Sequence, residues 1–440
     1  MKPNLRVFIF LSGVLSLLAG LPAQATGKPV ISLDEAVKLA LTKNPAITIS
    51  QSEVEAAQGR VTQARSGYLP QVSVSSGYDR RYSYSPGSTG RLNDSAYDDY
   101  AARATASQLI YDFGQTTGKI GQSRKNLDAS RESLSDVASA LCRDVKVSYL
   151  EVLKKQHLVR VNIESLKAKE KHLAQSRALY NQGLRPRIDL TKGQTEVSQA
   201  KLSLLQARYS LKNNLTELEN LMGGPPVAGE YELAEVGKGS KPPDNLESLR
   251  QRALEARQDL AQLKSKIEAA RAGLESVTGN YWPSLKASGS YSFSDDNPDM
   301  EDRAWQAGLT LNWDIFTGLR HSGQESEARA EIRRLDAFLK QEELTVTRQV
   351  NQSFLALREA YEAVDTARIA FAQAKENLNQ AEGRYQAGKS DIVELSDAQV
   401  LYTTSQSALV QATYSHLQAW AALEYATGEP APLSELTAER

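Results

Sequence analysis

Residues 179–195 read LYNQGLRPRIDLTKGQT, and residues 384–400 read RYQAGKSDIVELSDAQV. The two stretches match at an offset of 205 residues. A match at fixed spacing is the signature of an internal duplication. We therefore predict two structural repeats, residues 26–222 and 246–428, joined by a Gly- and Pro-rich linker at 223–245 and followed by a tail at 429–440. The matching pairs are Tyr180 and Tyr385, Gly183 and Gly388, Leu190 and Leu395, and Gln194 and Gln399.

Each repeat contains one very long helical pattern. Apolar residues recur every seven positions, and such a heptad sustained along the chain predicts coiled-coil helices. We predict long helices over about 119–180 and about 319–385, each roughly 95–100 Å long. The heptad positions are Ala138, Val145, Val152, Val159, Leu166, Leu173 and Tyr180 in the first repeat, and Val350, Leu357, Val364, Phe371, Leu378 and Tyr385 in the second.

Shorter helical patterns flank each long one, at residues 46–66 and 187–221 in the first repeat and 259–280 and 391–426 in the second. Two short helices stacked end to end span nearly the length of one long helix. We therefore predict each repeat to be a long helix beside a stacked pair. The long helices reverse at turns, here called the tips, at residues 181–187 and 386–391, where Gly183 and Gly388 break the pattern.

Between the short and long helices the apolar period changes to two. Residues 284–293 and 305–313 alternate apolar and polar side chains over the length of a tilted membrane-spanning strand. We predict β-hairpins over about 71–111 and about 284–315. The connection at 85–99 is rich in Ser, Gly, Asn and Asp, which predicts an exposed loop. The first hairpin places on one face Val72, Val74, Tyr78, Tyr82 and Tyr84.

The N-terminus has the features of a secretory signal peptide. Lys2 and Arg6 form a basic start, residues 7–21 form an apolar core, and Ala23-Gln24-Ala25 supplies a small–x–small cleavage pattern. We predict that the signal peptide covers residues 1–25. A retained membrane anchor is the alternative, but the apolar core is short for a span that needs about 20 residues.

Two interpretations of the hairpins are open. In a soluble sheet one face is wet and the other is covered, but nothing in the sequence is expected to cover these apolar faces. Apolar faces that point outward into a bilayer fit better behind an export signal. Four strands are too few to close a barrel, so several copies must combine. Two copies would give a filled eight-stranded barrel, and three would give a twelve-stranded barrel with room for a channel.

The composition of the chain argues against several classes of function. The 440 residues carry 52 Lys and Arg against 53 Asp and Glu, a net charge of −1. Nucleic-acid binders usually show a basic excess, so we expect no nucleic-acid partner. One cysteine, Cys142, excludes an internal disulfide framework or a cysteine-rich zinc site. The four histidines lack metal-ligand spacing and no hydrolase motif occurs, so we expect neither a cofactor nor enzyme activity.

One stretch matches a nucleotide-binding motif. Residues 383–390 fit G-x-x-x-x-G-K-[ST], the phosphate-binding loop. That loop follows a buried strand, whereas these residues follow a coiled-coil heptad that includes Tyr385. The equivalent stretch of the first repeat lacks the Lys and the Ser. We therefore interpret the match as a coincidence.

The order of these features resembles the TolC family of outer-membrane efflux proteins over nearly the whole mature chain. The motifs that carry the resemblance are residues 33–36 (LDEA) leading to Asn44-Pro45, residues 67–70 (GYLP), residues 311–316 (LNWDIF) with Gly318, and the Tyr-x-x-Gly turns at 180–183 and 385–388. The resemblance implies a homotrimer in the cell outer membrane. Twelve strands would form a β-barrel in contact with lipid, and twelve helices would form a periplasmic α-barrel.

The resemblance also implies the exit duct of a tripartite system for efflux or type I secretion. A periplasmic adaptor of the membrane-fusion type would join the duct to an inner-membrane transporter of ABC, RND or MFS type. Whether the substrate is a drug, a metal or a protein stays open. The alternative function is a periplasmic coiled-coil adaptor or scaffold without a pore. The adaptor-docking residues expected at the tips are Gly183, Arg185, Gly388 and Lys389.

The resemblance places a gate at the second tip. The aspartate rings that narrow the entrance of the family's pore correspond to Glu394 and Asp397, which lie three residues apart on one helix face. The residue pattern alone also fits a simpler interpretation. Acidic residues in the first turn of a helix are favoured by the helix dipole and cap free N–H groups.

A network that holds the family's pore closed corresponds to Asp189 and Tyr385. The arginine of that network falls on Ser390, so this sequence departs from the family pattern there. The basic residues that are candidates to replace it are Lys389, Arg185 and Arg187.

Overall fold

The computed structural model describes residues 29–86, 92–226, 231–237, 239–295, 297–299 and 301–429. The signal peptide predicted at residues 1–25 lies outside these ranges, as does the tail beyond Glu429. The side chain of Tyr84 is likewise outside the described part of the chain.

The elements follow the same order in both halves of the chain. The first half contains β1 (Val30–Ile31), α1 (Leu33–Lys43), α2 (Pro45–Arg65), β2 (Gln71–Pro86), β3 (Leu92–Tyr111), α3 (Gln115–Asn181) and α4 (Arg187–Leu221). The linker contributes β4 (Glu232–Leu233). The second half contains α5 (Leu246–Ala256), α6 (Gln258–Gly279), β5 (Ser284–Asp295), β6 (Asp302–Asn312), α7 (Arg320–Gln386) and α8 (Ile392–Ala426). The chain is therefore mainly helical.

The helices pack side by side. The long helices α3 and α7 have 67 residues each and are roughly 100 Å long. α3 packs against α2 and α4 on one side and against α6 and α8 on the other, and α7 packs against α5, α6 and α8. Within the described residues, no helix combines the length and apolarity needed to cross a membrane. The heptad residues that are fully buried include Ala138, Val145, Val152, Val350 and Leu357.

The stacked short helices meet in the same way in both repeats. Gly223, just after α4, has φ +79°, and a Cβ there would lie 2.6 Å from the backbone of Lys43 at the end of α1. Gly428, just after α8, has φ +76°, and a Cβ there would lie 3.0 Å from the backbone of Ala256 at the end of α5. Only glycine combines this backbone conformation with so close an approach. The two glycines therefore fix where each stacked pair joins.

The four long strands form one antiparallel sheet in the order β2-β3-β5-β6. The contact between β3 and β5 joins the hairpin of the first repeat to that of the second, with Ala104 opposite Tyr291. The outer edges of β2 and β6 have no strand partner within the described chain. The sheet is therefore open at both edges.

The first hairpin differs from the prediction. The composition of residues 85–99 predicts an exposed loop, but β2 extends to Pro86 and β3 begins at Leu92. Cross-strand ion pairs fall in this part of the hairpin, since Arg81 lies 2.9 Å from Asp99 and Arg80 lies 3.9 Å from Asp98. Polar composition is typical of loops, but regular pairing with the neighbouring strand satisfies the backbone groups here.

The linker also differs from a simple connection. β4 pairs in parallel with β1 near the N-terminus, so the linker returns to the first repeat. The hydroxyl of Tyr149, on α3, lies 2.8 Å from the backbone oxygens of both Ile31 and Ala234. Tyr149 is fully buried in the largest apolar core, where α1, α3, α4 and the two short strands meet. The linker thus forms part of a packed layer at mid-length of α3.

Candidate functional site

The two tips have the same backbone geometry. Gly183 and Gly388 both have φ +70°. After each glycine the next N–H turns back to the preceding helix, so that Leu184 donates to the carbonyl of Leu179 and Lys389 donates to that of Arg384, both at 2.9 Å. This arrangement ends a helix with a left-handed residue and satisfies its last carbonyl groups. A Cβ added at either glycine would meet no heavy atom within 4 Å, so backbone conformation alone requires glycine.

Apolar side chains are exposed at the tips. Leu184 is 66% exposed in the first tip, and Ile188 is 72% exposed in the first turn of α4. Val393, at the equivalent position of α8, is also exposed. Exposed apolar groups of this kind mark interaction surfaces when they cluster.

Arg185 connects the two tips. Its guanidinium carbon lies 5.3 Å from the centre of the Tyr385 ring, within the range of a cation–π contact. Its Nη2 also donates to the backbone oxygen of Ser390 at 3.3 Å. Of the three basic residues considered as replacements for the arginine missing at position 390, Arg185 is the one that reaches both groups. The side chain of Lys389 is exposed and has no polar partner among the described residues.

Tyr385 is held by apolar neighbours. It is buried in a cluster at the second tip together with Ala381, Ile392, Leu395 and Ala398. Its hydroxyl is buried without a hydrogen-bond partner in the described part of this chain. A buried hydroxyl without a partner is costly, so a bound water or a rearrangement of the tip is needed to satisfy it.

The two predicted gate carboxylates are both exposed at the start of α8. Glu394 forms an ion pair with Arg384 of α7, with 2.9 Å between Oε1 and Nε. Asp397 forms no ion pair within the described residues and lies on the same face of the helix. The helix is capped instead by Asp391, whose side chain accepts from the N–H groups of Val393 and Glu394. The capping role is therefore filled by another residue.

Asp189 occupies the position of the first repeat that is equivalent to Glu394. It lies in the first turn of α4 and is 8% exposed, whereas the side chain of Glu394 is 42% exposed. The residue equivalent to Asp397 is Lys192. The two tips therefore have the same backbone conformation but carry different charged side chains.

The tip residues predicted from the sequence are only partly brought together. The structure joins Arg185, Tyr385 and Ser390, and it shows no hydrogen bond from Tyr385 to Asp189 within the described chain. Sequence reasoning missed Arg384 as the partner of Glu394. The signal was available, because the two residues lie on opposite sides of a tight turn between antiparallel helices. Residues 383–386 of the phosphate-loop match belong to α7, so no strand precedes the match.

The sheet has one apolar and one polar face. Strand register places the even-numbered residues of β2 and β3 beside the odd-numbered residues of β5 and β6, so apolar residues collect on a single face. The opposite face carries mostly Ser, Thr, Asn and Gln. The apolar face includes Val72, Val74, Tyr78, Tyr100, Ala102, Ala104, Leu285, Ala287, Tyr291, Phe293, Trp305, Ala307, Leu309 and Leu311.

Aromatic residues form two bands on this face. The proximal band, next to the helices, contains Tyr111, Phe113, Trp282 and Trp313, and the Phe113 and Trp282 rings stack at 5.5 Å. The distal band contains Tyr78, Tyr100, Tyr291, Phe293 and Trp305. From Trp305 to Trp313 the strand is about 27 Å long, or about 20 Å along a barrel axis at the usual tilt. The outward apolar band of outer-membrane barrels is about 25 Å tall, with aromatic girdles at both ends.

The outermost helices also expose apolar stripes. On α4 the stripe consists of Leu202, Leu205 and Tyr209, and on α7 it consists of Leu344, Leu355 and Ile369. α4 and α7 lie at opposite ends of the row of helices. Both ends of the row, like both edges of the sheet, are therefore suited to contact further protein.

Comparisons with known proteins agree with this architecture. The sequence model described as "Outer membrane efflux protein" matches residues 36–224 and 249–429. The chain is 25% identical to "Protein CyaE" of Bordetella pertussis, over 84% of this chain and 78% of that protein. It is 21% identical to "Outer membrane protein TolC" of Escherichia coli, over 95% and 84%. The crystal structure of the Campylobacter jejuni CmeC outer membrane channel aligns with a TM-score of 0.82 at 16% identity, over 97% of this chain and 94% of that one.

Proposed function

Because the chain belongs to the outer membrane efflux protein family, we propose that three copies form the exit duct of a tripartite export system. The resemblance to the TolC family is confirmed by the match of the family model to both repeats. The protein is accordingly an outer-membrane export channel protein. The trimer, the closed barrels, the partners and the gate are the proposed parts.

The observation that carries the proposal is the open sheet with a single apolar face. β2 and β6 present unpaired backbone groups at the two edges. In a bilayer every backbone N–H and C=O must find a partner within protein, because lipid supplies none. The edges must therefore pair with other copies, β2 of one chain beside β6 of the next. Four strands per chain then give twelve strands for three copies.

The helices support the same arrangement. Closing the sheet brings α4 of one copy toward α7 of the next, and their exposed apolar stripes would become buried there. Burial of Leu, Ile and Tyr side chains stabilises an interface by about 25 cal/mol per Å² of apolar surface. Two copies would form an eight-stranded barrel whose interior is filled by side chains, whereas twelve strands leave a channel.

We assign partners by the same reasoning. The tips project farthest from the sheet and expose Leu184, Ile188 and Val393. A periplasmic adaptor would bind there and connect the duct to an inner-membrane transporter of ABC, RND or MFS type. A periplasmic scaffold without a pore would leave the apolar face of the sheet uncovered, so we do not favour it.

The gate is proposed at the second tip. Three copies of α8 would bring three Asp397 side chains, and three Glu394 side chains paired with Arg384, around one axis. Asp189, Tyr385 and Arg185 lie behind this ring and would control how closely the tips approach. The ring would narrow the entrance and attract cations.

Membrane insertion can be tested with a matched pair of variants. Leu309→Arg places a charge on the apolar face, where an Arg near the bilayer centre costs about 2–4 kcal/mol. Thr310→Arg places the same charge on the polar face at the next residue. We expect Leu309→Arg to lower the amount of heat-sensitive oligomer in the outer membrane, and Thr310→Arg to leave it unchanged. Equal behaviour of the two variants, or recovery of the wild-type protein in the soluble periplasm, would contradict the proposal.

A further inference from the structure

The polar face of the sheet carries an uneven charge. From the proximal band up to the level of Phe293 in the distal band, the charged residues on this face in the described chain are Lys286 on β5, between the bands, and Arg103 on β3, level with the distal band. Both are exposed. Neither forms an ion pair with a described residue. The remaining positions of this face between the bands are uncharged, mostly Ser and Thr.

The two cations lie at different heights in the sheet. Arg103 is opposite Ser292, whereas Lys286 is opposite Leu109 on one side and Thr310 on the other. Along β5 the two levels are about 20 Å apart, or about 15 Å along the axis of a tilted barrel. In a closed trimer each level would contain three equivalent cations.

Acidic residues on this face lie farther from the helices than Arg103 does. They are Asp79, Asp99 and Asp302, and the first two are paired with Arg81 at 3.4 and 2.9 Å. Asp302, opposite Ser294, is level with the distal band, and the Asp79–Asp99 pair lies one residue beyond it. Lys286 lies between the two aromatic bands and Arg103 lies level with the distal band. In the proposed barrel lipid would back the wall at both levels, and a low-dielectric wall strengthens the field inside the lumen.

Resting on the proposed trimeric duct, we propose that two rings of cations, Arg103 and Lys286 of each copy, make the membrane-spanning lumen selective for anions. A twelve-stranded barrel has a backbone diameter of roughly 24 Å from the spacing and tilt of its strands. The screening length is about 10 Å in 0.1 M salt, so no part of the lumen is far from a ring. The substrate class that this lumen favours carries carboxylate, phosphate or sulfate groups.

The selectivity of the barrel must be separated from that of the tips. The proposed tip carboxylates attract cations in series with the barrel, so the test uses full-length protein that carries Glu394→Gln and Asp397→Asn. In this background, Arg103→Gln with Lys286→Gln removes six positive charges per trimer. The matched control is Arg303→Gln, since Arg303 lies on the apolar face of the same sheet, over the ring of Phe293.

The measurement is the reversal potential in planar bilayers across a KCl gradient. We expect Arg103→Gln with Lys286→Gln to lower the ratio of chloride to potassium permeability roughly threefold near 0.1 M salt, and more at 0.01 M, where screening is weaker. We expect Arg303→Gln to leave the ratio unchanged. Inorganic triphosphate added to the barrel side should reduce the current through channels that retain the rings more than through those that lack them.

The outcomes separate this inference from the proposed function. If channels with and without the two cation rings show the same permeability ratio and the same triphosphate block, the anion-selective lumen is overturned. The proposed duct would be unaffected by that result. A change caused by Arg303→Gln instead would show that the faces of the sheet are assigned the wrong way round, and would overturn it too. Folded oligomers that never conduct would contradict the proposed duct, and the inference with it.

Discussion

Arg185, in the tip between α3 and α4, lies over the ring of Tyr385 at the end of α7, with 5.3 Å between the guanidinium carbon and the ring centre. The same guanidinium donates to the backbone oxygen of Ser390 at 3.3 Å. One side chain of the first repeat thus holds both ends of the turn in the second. Arg185 of the first tip therefore supplies the positive charge beside Tyr385 that an arginine at position 390 would otherwise supply.

Removing this cation should loosen the tips. Arg185→Ala loses a cation–π contact and a charged hydrogen bond, together worth about 1–3 kcal/mol. We expect a higher resting conductance in planar bilayers. Arg185→Lys is the control, because it keeps the charge but not the planar group, and an intermediate conductance is expected. Wild-type conductance in Arg185→Ala would show that the contact does not restrain the pore.

The hydroxyl of Tyr385 tests whether the proposed network at the second tip holds the pore closed. It has no hydrogen-bond partner within the described residues of its own chain. We expect Tyr385→Phe to raise conductance with ion selectivity unchanged, because the hydroxyl carries no charge and belongs to the network that is proposed to hold the pore closed. The stability of the unassembled chain should not fall. A variant with the conductance of wild type would show that the hydroxyl does not hold the pore closed.

The tip glycines should be required for export but not for membrane assembly. A left-handed conformation costs a residue with a Cβ about 1–2 kcal/mol, and a β-branched residue more. We expect Gly183→Val or Gly388→Val to abolish export and crosslinking to the adaptor while the oligomer still reaches the outer membrane. Gly383→Ala is the control, since Gly383 lies in α7 with a helical backbone and open space around it. Normal export by both valine variants would refute the assignment of the tips.

The ion pair at the second tip predicts unequal roles for the gate carboxylates. Glu394 is neutralised by Arg384, whereas Asp397 has no such partner among the described residues. We expect Asp397→Asn to weaken cation preference more than Glu394→Gln does, and Arg384→Gln to strengthen it by releasing Glu394. Reversal potentials in a KCl gradient measure all three. If the double variant Glu394→Gln with Asp397→Asn keeps the wild-type reversal potential, neither residue faces the pore.

The linker should be held slightly less strongly at acid pH. Burial raises the pKa of Glu235, but hydrogen bonds and charge from His157, with Tyr414 and Arg160, outweigh it and hold the pKa below the ordinary value of 4.5. A carboxylate with a lowered folded-state pKa stabilises the fold above its unfolded pKa, and this contribution is lost as the pH falls below about 4.5. Since Glu235 is half-exposed, the effect should be under about 1 kcal/mol.

Thermal unfolding in detergent measures this contribution. We expect Glu235→Gln to unfold at a lower temperature than wild type at pH 7, with the difference shrinking at pH 3.5. Glu232→Gln, an exposed neighbour on β4, should match wild type at both values. A difference that is the same at pH 3.5 as at pH 7 would show that the carboxylate charge is not responsible.

Most of the fold could be predicted from the local periodicity of apolar residues. The heptads that include Val145 and Val350 predict α3 and α7 because the same spacing that defines the pattern defines the buried helix face. The alternation in residues 305–313 predicts which face of β6 is apolar for the same reason. Pairing between distant segments has no such signal. The β1–β4 contact and the position of Tyr149 beneath it depend on the return of the linker, which its composition does not encode.

The candidate site was less predictable than the fold. Asp189 and Glu394 occupy equivalent positions, so the pattern gives them the same environment, yet one is buried and the other exposed. Burial of a residue in the first turn is set by the helix that covers it, and the two tips have different neighbours. The contacts of Arg185 with Tyr385 and of Arg384 with Glu394 likewise depend on how far each side chain reaches across a turn. Residue spacing along one helix does not predict such contacts.

The number of chains in the channel tests the central proposal most directly. Native mass spectrometry of the protein extracted from outer membranes in detergent would count them. Three mature chains per particle are expected, because four strands from each complete a twelve-stranded barrel and bury the stripes on α4 and α7. A particle of one chain, or of two, would contradict the proposed duct.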